Sequence, residues 1–293
     1  NITQKGFVKK VFVMNDFFSS KAPSEFTKTE RRIMNYILEN PADFIHMSIG
    51  EAARRVGTSE PTISRFARHC GYSDFKELKT ALLERQEEIH SPARKLASSM
   101  ERPDTSSLEG MLRYQQFCIE KTLSFLNTKD VEDAISAIIK ARRIYIHAKG
   151  AALSMAQLLK FRLTRFGLSL TILPPGSSEL FEEMNFITPE DLLILFGFQN
   201  IPREARVLLD YREKTGCPAI LFTSRICDSA SGDGIIPLYI YRGEPTEYHS
   251  MAAPSALLDA LVLLTGQRLG SRSKETLDEI FRLKEHYKAD IPR

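Results

Sequence analysis

The sequence has few cysteines, and its histidines lack the spacing of a metal site. Four of the 293 residues are cysteines, namely Cys70, Cys118, Cys217 and Cys227, and six are histidines. No two cysteines form a C-x-x-C pair, and no cysteine and histidine have zinc-like spacing. We therefore expect no disulfide framework, no metal site and no cofactor, and we expect a reducing cytoplasm as the compartment.

Long apolar runs are also missing. No run reaches the ~18 residues that span a membrane, and the nearest, 257–264, carries Asp259. Only the short apolar run 11–14 follows the first lysines, which is too short for the h-region of a signal peptide. We expect no membrane partner, and we expect Met14 to be the natural start, with 1–13 as extra upstream sequence.

A strong excess of positive charge is missing as well. The net charge is +3, from 40 basic and 37 acidic residues, which alone does not indicate a nucleic-acid partner. The stretch 51–80 is only mildly basic, with six basic and four acidic residues. A prediction of DNA binding must therefore rest on local pattern.

The stretch 27–90 has the pattern of successive short helices. Thr27 and Glu30 form a capping-box pattern, followed by apolar residues at helical spacing. Ser48 is the predicted N-cap of a further helix, and Gly57 is predicted to end that helix in a left-handed conformation. Ser59 is the predicted N-cap of the helix that follows.

The Gly-Thr-Ser turn at 57–59 joins two helices with apolar faces, which is the pattern of a helix-turn-helix. Hydroxyls near a helix N-terminus suit phosphate oxygens, and an arginine can pair with guanine through two hydrogen bonds. The predicted DNA-binding residues are Ser59, Thr62, Ser64, Arg65, Arg68 and Lys76, with Lys79 as a further phosphate contact. From spacing alone, a three-helix interaction module with a solvated charged face is the alternative.

From Val131 onward, short β-rich runs alternate with helical segments. The predicted strands are 144–147, 169–173, 192–196, 219–223 and 238–241. Apolar strands alternating with helices indicate a parallel sheet covered on both faces, with ligands at the carboxyl ends of the strands. We therefore predict an all-α helix-turn-helix domain followed by an α/β domain with a parallel five-stranded sheet flanked by helices.

The first of these domains resembles that of the RpiR family of bacterial transcription regulators. The segments that fill the family's pattern are TKTER (27–31), YILENP (36–41), SIGEA (48–52), SEPTISRF (59–66) and GYSDFKELK (71–79). The resemblance implies that the helix carrying Thr62, Ser64 and Arg65 reads DNA. It also implies that 142–265 is a sugar isomerase (SIS) domain, which in this family binds phosphosugars as effectors.

Two loops depart from that family's SIS pattern. The loop after the first strand, usually Gly-x-Gly-x-Ser, is AKGAA (148–152) here, and the hydroxyl loop after the third strand is GFQNIP (197–202). The Thr-Ser pair at the end of the fourth strand is retained. The predicted effector-binding residues are Lys149, Gly150, Gln199, Asn200, Thr223, Ser224 and His249, the last beside Glu247.

These departures leave two interpretations of the pocket open. It binds a different, less phosphorylated ligand, or it binds none and the domain only dimerises. His147 lies on an apolar strand and is interpreted as a structural histidine, and we predict no catalytic residues.

The predicted domains are an N-terminal tail (1–26), an RpiR-type helix-turn-helix DNA-binding domain (27–90), a linker and helix (91–127), a SIS domain (128–270) and a C-terminal helix (271–293). The predicted function is a transcriptional regulator that binds double-stranded operator DNA as a homodimer or higher homo-oligomer. Its expected effector is a sugar, a sugar phosphate or a related metabolite. The alternatives are a phosphosugar isomerase with an N-terminal interaction module, and a DNA-binding dimer without an effector.

Overall fold

The computed structural model describes residues 26–102, 106–224 and 234–291, and the chain divides into two compact units. Unit 1 contains the chain up to Ser106 together with the segment 243–249, and unit 2 contains 107–242 and the chain from Ser250 onward. Nearly all of the expected N-terminal tail, including Met14, lies outside the described residues. In the part that is described, no helix is long and apolar enough to cross a membrane.

The regular elements of unit 1 are helices. They are α1 (Lys28–Glu39), α2 (Pro41–His46), α3 (Ile49–Val56), α4 (Glu60–His69), α5 (Phe75–His90) and α6 (Pro92–Met100). Their shared core is apolar, and Ile33, Phe44, Ile63, Phe66 and Leu78 are fully buried in it. Burial of such side chains contributes ~1.5–3 kcal/mol each, which offsets the low stability of isolated short helices in water.

The helix boundaries of unit 1 follow the sequence signals. Thr27 and Glu30 form the predicted capping box, with the Thr27 backbone N–H donating to Glu30 at 2.8 Å. The Ser48 hydroxyl accepts from the Glu51 N–H at 3.2 Å, so the N-cap of α3 is confirmed. Gly57 ends α3 with a φ of 71°, the left-handed conformation that the turn requires.

Unit 2 contains the strands and the remaining helices. The helices are α7 (Leu108–Phe125), α8 (Thr128–Lys140), α9 (Ala152–Thr164), α10 (Glu179–Met184), α11 (Arg203–Thr215), α12 (Ala252–Leu269) and α13 (Ser271–His286). The strands are β1 (Ile144–His147), β2 (Leu170–Ile172), β3 (Leu192–Phe196), β4 (Ala219–Thr223) and β5 (Ile235–Tyr239). The predicted linker region 91–127 is thus divided, with α6 in unit 1 and α7 in unit 2.

The five strands form one parallel sheet in the order β2-β1-β3-β4-β5. Alternate side chains of β1 face opposite sides, so Ile144 and Ile146 join one apolar cluster and Tyr145 joins the other. Helices cover both faces, as the continuous apolar strands predict. The strand order reverses at β1, so the carboxyl ends of β1 and β3 flank the position where ligands bind in such sheets.

The fifth strand begins earlier than the sequence predicts. The pattern places it at 238–241, whereas the structure has β5 at Ile235–Tyr239 with Pro237 paired opposite Leu221. Proline interrupts a central strand because it has no N–H, but an edge strand tolerates it when that position faces away from the neighbour. Since β5 lies at the edge of the sheet, Pro237 is part of the strand rather than a residue preceding it.

Candidate functional sites

The first candidate site is the exposed face of α4 in unit 1. Ser59 is the N-cap residue of α4, but its hydroxyl does not cap the helix; it lies 2.8 Å from Thr62 Oγ1. Arg65 Nη2 donates to the same Thr62 hydroxyl at 3.4 Å. Two hydroxyls and a guanidinium are therefore linked on an exposed helix face, which can donate to phosphate oxygens and base edges.

The other predicted DNA contacts differ in exposure. Arg68 and Lys76 are exposed, and Ser64 is half-buried. Within the described ranges, no carboxylate forms a salt bridge with Arg65, Arg68 or Lys76. These cations therefore keep their charge facing solvent and do not neutralise an acid in the described part of the chain.

Lys79 has a structural contact that the sequence did not reveal. Its ammonium donates to the Met47 carbonyl at 2.8 Å and lies 5.4 Å from the centre of the Phe75 ring. The amine therefore holds the end of α2 against α5. A DNA contact by Lys79 would compete with this bond, so we leave Lys79 out of the proposed interface.

The far end of α4 is tied to α1. His69 Nδ1 lies 2.7 Å from Glu30 Oε1. Burial alone would raise the pKa of Glu30, but hydrogen bonds from Thr27 and His69 lower it below its usual value, so this carboxylate is charged at neutral pH. Burial and the Glu30 charge raise the pKa of the neighbouring Cys70 thiol to about 12, so this cysteine is not a nucleophile.

The second candidate site lies at the carboxyl ends of the strands in unit 2. Because all five strands are parallel, the loops after β1, β3 and β4 meet at one edge of the sheet. The structure brings to this edge the predicted residues Lys149, Gly150, Gln199, Asn200, Thr223 and Ser224. Gly150 has a φ of 57°, the left-handed conformation that favours glycine, and a Cβ there would meet no atom within 4 Å.

Lys149 forms an ion pair with a residue that the sequence did not single out. Its ammonium lies 3.0 Å from Oε1 of Glu204, in the first turn of α11. A Cβ placed at Gly176 would lie 2.9 Å from that oxygen and 3.6 Å from the ammonium. Gly176 is therefore the backbone against which the pair packs, and a side chain there would displace Glu204.

His147, at the end of β1, is fully buried. Neither ring nitrogen has a partner with full hydrogen-bond geometry, although the Pro175 carbonyl lies close enough to act on the ring. Burial lowers the pKa of the imidazole, and so does the Lys149 charge, while the Pro175 carbonyl and the Glu204 charge act in the opposite direction. The ring is neutral at physiological pH, so it presents one donor and one acceptor.

The loop after β3 is filled by apolar side chains. Phe198 is buried, with its ring centre 5.9 Å from that of Phe196. A Cβ at Gly197 would lie 3.1 Å from Ile201 Cγ1 and 3.3 Å from the Leu221 side chain. The loop thus closes on itself without a hydroxyl, as the sequence GFQNIP suggested.

The ends of β4 and β5 are linked to this loop. The Ser224 N–H donates to the Phe198 carbonyl at 2.8 Å, and its hydroxyl donates to the Ile240 carbonyl at 2.7 Å. The Arg242 guanidinium lies 4.3 Å from the centre of the Phe198 ring and donates through Nε to the Ser250 carbonyl. Burial lowers the pKa of Arg242 to about 10, which leaves it charged at neutral pH.

His249, the last predicted effector residue, has its described contacts in unit 1. It belongs to the segment 243–249 of unit 1, where its Nε2 lies 3.1 Å from Lys95 Nζ. Neighbouring Glu247 is buried and pairs with Arg102 at 2.7 Å. The described contacts of His249 and Glu247 therefore lie within unit 1, and the assignment of His249 to the effector site stays a prediction.

Three residues at the site were missed or set aside at the sequence level. His147 was interpreted as structural because its strand is apolar, and Glu204 and Arg242 belong to no recognised motif. A signal for Glu204 was present, since an acidic residue in the first turn of a helix competes with any anion for the helix N-terminus. In the described part of the chain, no group of three or more acidic, histidine or cysteine residues could hold a metal ion.

Two family models match the chain. Residues 19–88 match the helix-turn-helix domain of the rpiR family, and residues 137–264 match the SIS domain. An HTH-type transcriptional regulator of Caldanaerobacter subterraneus is 23% identical over 251 residues, which cover 84% of this chain and 88% of that protein. The HTH-type transcriptional regulator HexR of Pseudomonas aeruginosa is 28% identical over 154 residues, covering 50% of this chain and 51% of HexR.

Two solved structures share the fold. The sugar isomerase domain of an RpiR transcription factor from Sphaerobacter thermophilus has a TM-score of 0.52 at 21% identity, covering 58% of this chain and 96% of that one. The Vibrio vulnificus NanR protein complexed with ManNAc-6P has a TM-score of 0.53 at 18% identity. The match covers 95% of this chain and 97% of that one. At these identities the likeness establishes the fold of the chain.

Proposed function

This chain belongs to the RpiR family of helix-turn-helix transcriptional regulators with a SIS domain, and from that premise we propose how it works. We propose that α4 reads operator DNA and that unit 2 binds a small effector of the sugar class, either a sugar, a sugar phosphate or a related metabolite. The observation that carries the DNA-reading role is the exposed Ser59–Thr62–Arg65 cluster. Arg65 supplies the base contact, while Arg68 and Lys76 supply phosphate contacts.

The proposed effector site is the carboxyl edge of the sheet, at Lys149, Gly150, Gln199, Asn200, Thr223 and Ser224. Its support is the reversal of strand order at β1, since sheets of this kind bind ligands between the two loops that flank such a reversal. The NanR protein, which has the same fold, was solved with ManNAc-6P, and this supports a ligand of the sugar class. Effector binding would alter DNA affinity through a coupling free energy of ~1–3 kcal/mol.

The proposed active species is a homodimer in the cytoplasm, where the chromosome is. Large apolar side chains remain exposed on α7 and α13 of unit 2, among them Leu108, Leu112, Leu123, Phe281 and Leu283. Uncovered apolar surface of this kind supports association with a second copy. A dimer predicts an operator with two inverted half-sites one or more helical turns apart.

The test is selection of bound duplexes from a randomised DNA pool with the full chain at about 150 mM salt, where non-specific attraction is weakened. We expect an inverted repeat to be enriched. The selection is repeated with a panel of sugars and sugar phosphates, so that an effector-dependent regulator is not missed. If no sequence is enriched under any of these conditions, the DNA-reading proposal is wrong. Conversion of aldose to ketose phosphates by the purified protein would then favour the isomerase alternative.

A further inference from the structure

Lys149, the basic residue of the loop after β1, is already paired with an acid of the same chain. Lys149 and Glu204 are 3.0 Å apart, and their side chains are 46% and 24% exposed. Hydrogen bonding to its own backbone N–H and to Lys149 lowers the pKa of Glu204, so the carboxylate is charged at neutral pH. A ligand that enters beside Lys149 therefore meets a negative charge as well as a positive one.

Glu204 also occupies a position that favours anions. It lies in the first turn of α11, a 13-residue helix whose N-cap, Pro202, makes no side-chain hydrogen bond. The N-terminus of a helix attracts negative charge through its free N–H groups and its dipole. Here that attraction is used by the protein's own carboxylate, and a phosphate group in the same place would lie against a like charge.

The loop after β3 is a poor alternative place for a phosphate, because few of its side chains are donors. Phe198 is buried between Phe196 and Arg242, and Ile201 closes over Gly197. A phosphate needs several converging N–H and O–H donors. This loop has no hydroxyl side chain, and its side-chain amide donors are limited to Gln199 and Asn200; its other large side chains, Phe198 and Ile201, are apolar, and opening the loop would expose Phe198 to water.

The buried His147 indicates what kind of group the site does suit. It is fully buried two residues before Lys149, and neither ring nitrogen has a partner with full hydrogen-bond geometry; the Pro175 carbonyl is the polar group that acts on the ring from nearby. Buried polar atoms in proteins are nearly always paired. A neutral imidazole has one donor and one acceptor, and a hydroxyl group, which both donates and accepts, complements either nitrogen.

We infer that the site between the ends of β1 and β3 takes an unphosphorylated polyhydroxy compound, such as a free sugar or a sugar alcohol, and that Glu204 is the residue that excludes phosphate esters. His147, Lys149 and Glu204 then supply the polar contacts to hydroxyl groups. This inference rests on the proposed function, because it assumes that unit 2 binds an effector of the sugar class. Within the sugar class, the inference selects unphosphorylated compounds over phosphate esters.

Calorimetric titration of the full chain with matched pairs tests the inference, each pair being a sugar or sugar alcohol and its phosphate ester. We expect at least one unphosphorylated compound to bind ten-fold or more tightly than its ester. Glu204→Gln removes the charge and keeps the shape, so we expect it to reduce this preference at least ten-fold. Glu213→Gln, an exposed residue on the same helix, is the matched control and should leave the preference unchanged.

The outcomes separate the two proposals. If a phosphate ester binds more tightly than its parent sugar and Glu204→Gln does not change the ratio, the exclusion role is wrong while the effector proposal stands. If no compound of either kind binds the wild type or Glu204→Gln, both the inference and the effector part of the proposed function fail. The DNA selection is independent of both results.

Discussion

Arg65 and Lys76 are exposed cations in different local settings. Arg65 lies on the exposed face of α4 and donates to the Thr62 hydroxyl, which orients the guanidinium. Lys76 lies in the first turn of α5, which follows α4, and its flexible side chain is exposed. A planar guanidinium held in place can discriminate bases, whereas a mobile ammonium suits a phosphate.

Arg65→Ala is therefore expected to weaken binding to the selected operator by ~1–3 kcal/mol and to relax specificity at one base pair. Lys76→Ala is the matched comparison, and it should weaken binding to all sequences alike and reduce the salt dependence by about one ion. The affinities of both variants for operator and random duplexes are measured by fluorescence anisotropy over a range of salt concentrations. Equal losses on operator and random DNA for Arg65→Ala would remove its base-reading role.

At this scale the sequence could identify residues that belong to motifs, but not those defined by contacts. Thr62, Ser64 and Arg65 stand in a recognisable segment, so they could be proposed without coordinates. Glu204 and His147 became candidates only because folding places one beside Lys149 and buries the other without a partner of full hydrogen-bond geometry. Such contacts join positions as much as 55 residues apart, which local patterns do not record.

The turn between α3 and α4 depends on the backbone conformation of one residue. Gly57 has a φ of 71°, and a Cβ placed there would meet no atom within 4 Å. A substitution is therefore disfavoured by backbone conformation and not by a clash. The Gly57 carbonyl also accepts a bond of 2.6 Å from Arg32, which fixes the turn against α1.

Gly57→Ala is accordingly expected to destabilise the turn by ~1–2 kcal/mol, the cost of a left-handed conformation for a residue with a Cβ. Gly57→Asn is the control, since asparagine tolerates this conformation better and should cost less. Amide hydrogen exchange in α3 and α4 measures the effect, and a loss of 1.4 kcal/mol corresponds to ten-fold faster exchange in the alanine variant. Equal exchange in the alanine and asparagine variants would contradict this explanation.

Helix boundaries that depend on adjacent residues were predicted well. Strand boundaries that depend on the position of the strand in the sheet were predicted less well. The capping box of α1 and the end of α3 follow from a few adjacent residues. The start of β5 could not be predicted from adjacent residues, because Pro237 argues against a strand unless β5 is known to lie at the edge of the sheet. The strand order, and with it the reversal at β1, follows from pairing over long distances in the chain.

At the scale of the whole molecule, the segment 243–249 departs from the expected domain organisation. Its flanking residues belong to unit 2, while the segment itself belongs to unit 1. Within unit 1, Tyr248 donates its N–H to the Ser99 hydroxyl at 2.7 Å, and Glu247 pairs with Arg102 at 2.7 Å. The sequence does not reveal these contacts, because the segment directly precedes α12 of unit 2 and its partners in unit 1 lie about 145 residues earlier in the chain.

Arg102→Ala tests whether the Glu247 ion pair holds the segment in unit 1. Removing one partner of a buried pair destabilises it by up to ~3–5 kcal/mol, and with Arg102 29% exposed we expect less than this. We expect faster amide exchange in 243–249, measured by mass spectrometry. Arg113→Ala is the control, because its pair with Glu109 is 74% and 73% exposed and contributes little. Unchanged exchange in Arg102→Ala would mean that the other contacts of the segment suffice.

The same segment has a consequence for how the protein can be cut. The chain passes between the units at three places, after Ser106, after Arg242 and after His249. A protease that cuts the bond after Ser106 therefore produces an N-terminal fragment that still packs against the segment 243–249. That segment belongs covalently to the C-terminal fragment. The two fragments should therefore elute together in size-exclusion chromatography and separate only when denaturant is added. A gene truncated at the same bond gives a different product, because a DNA-binding fragment ending at Ser106 lacks Glu247 and is not equivalent to unit 1 of the intact chain.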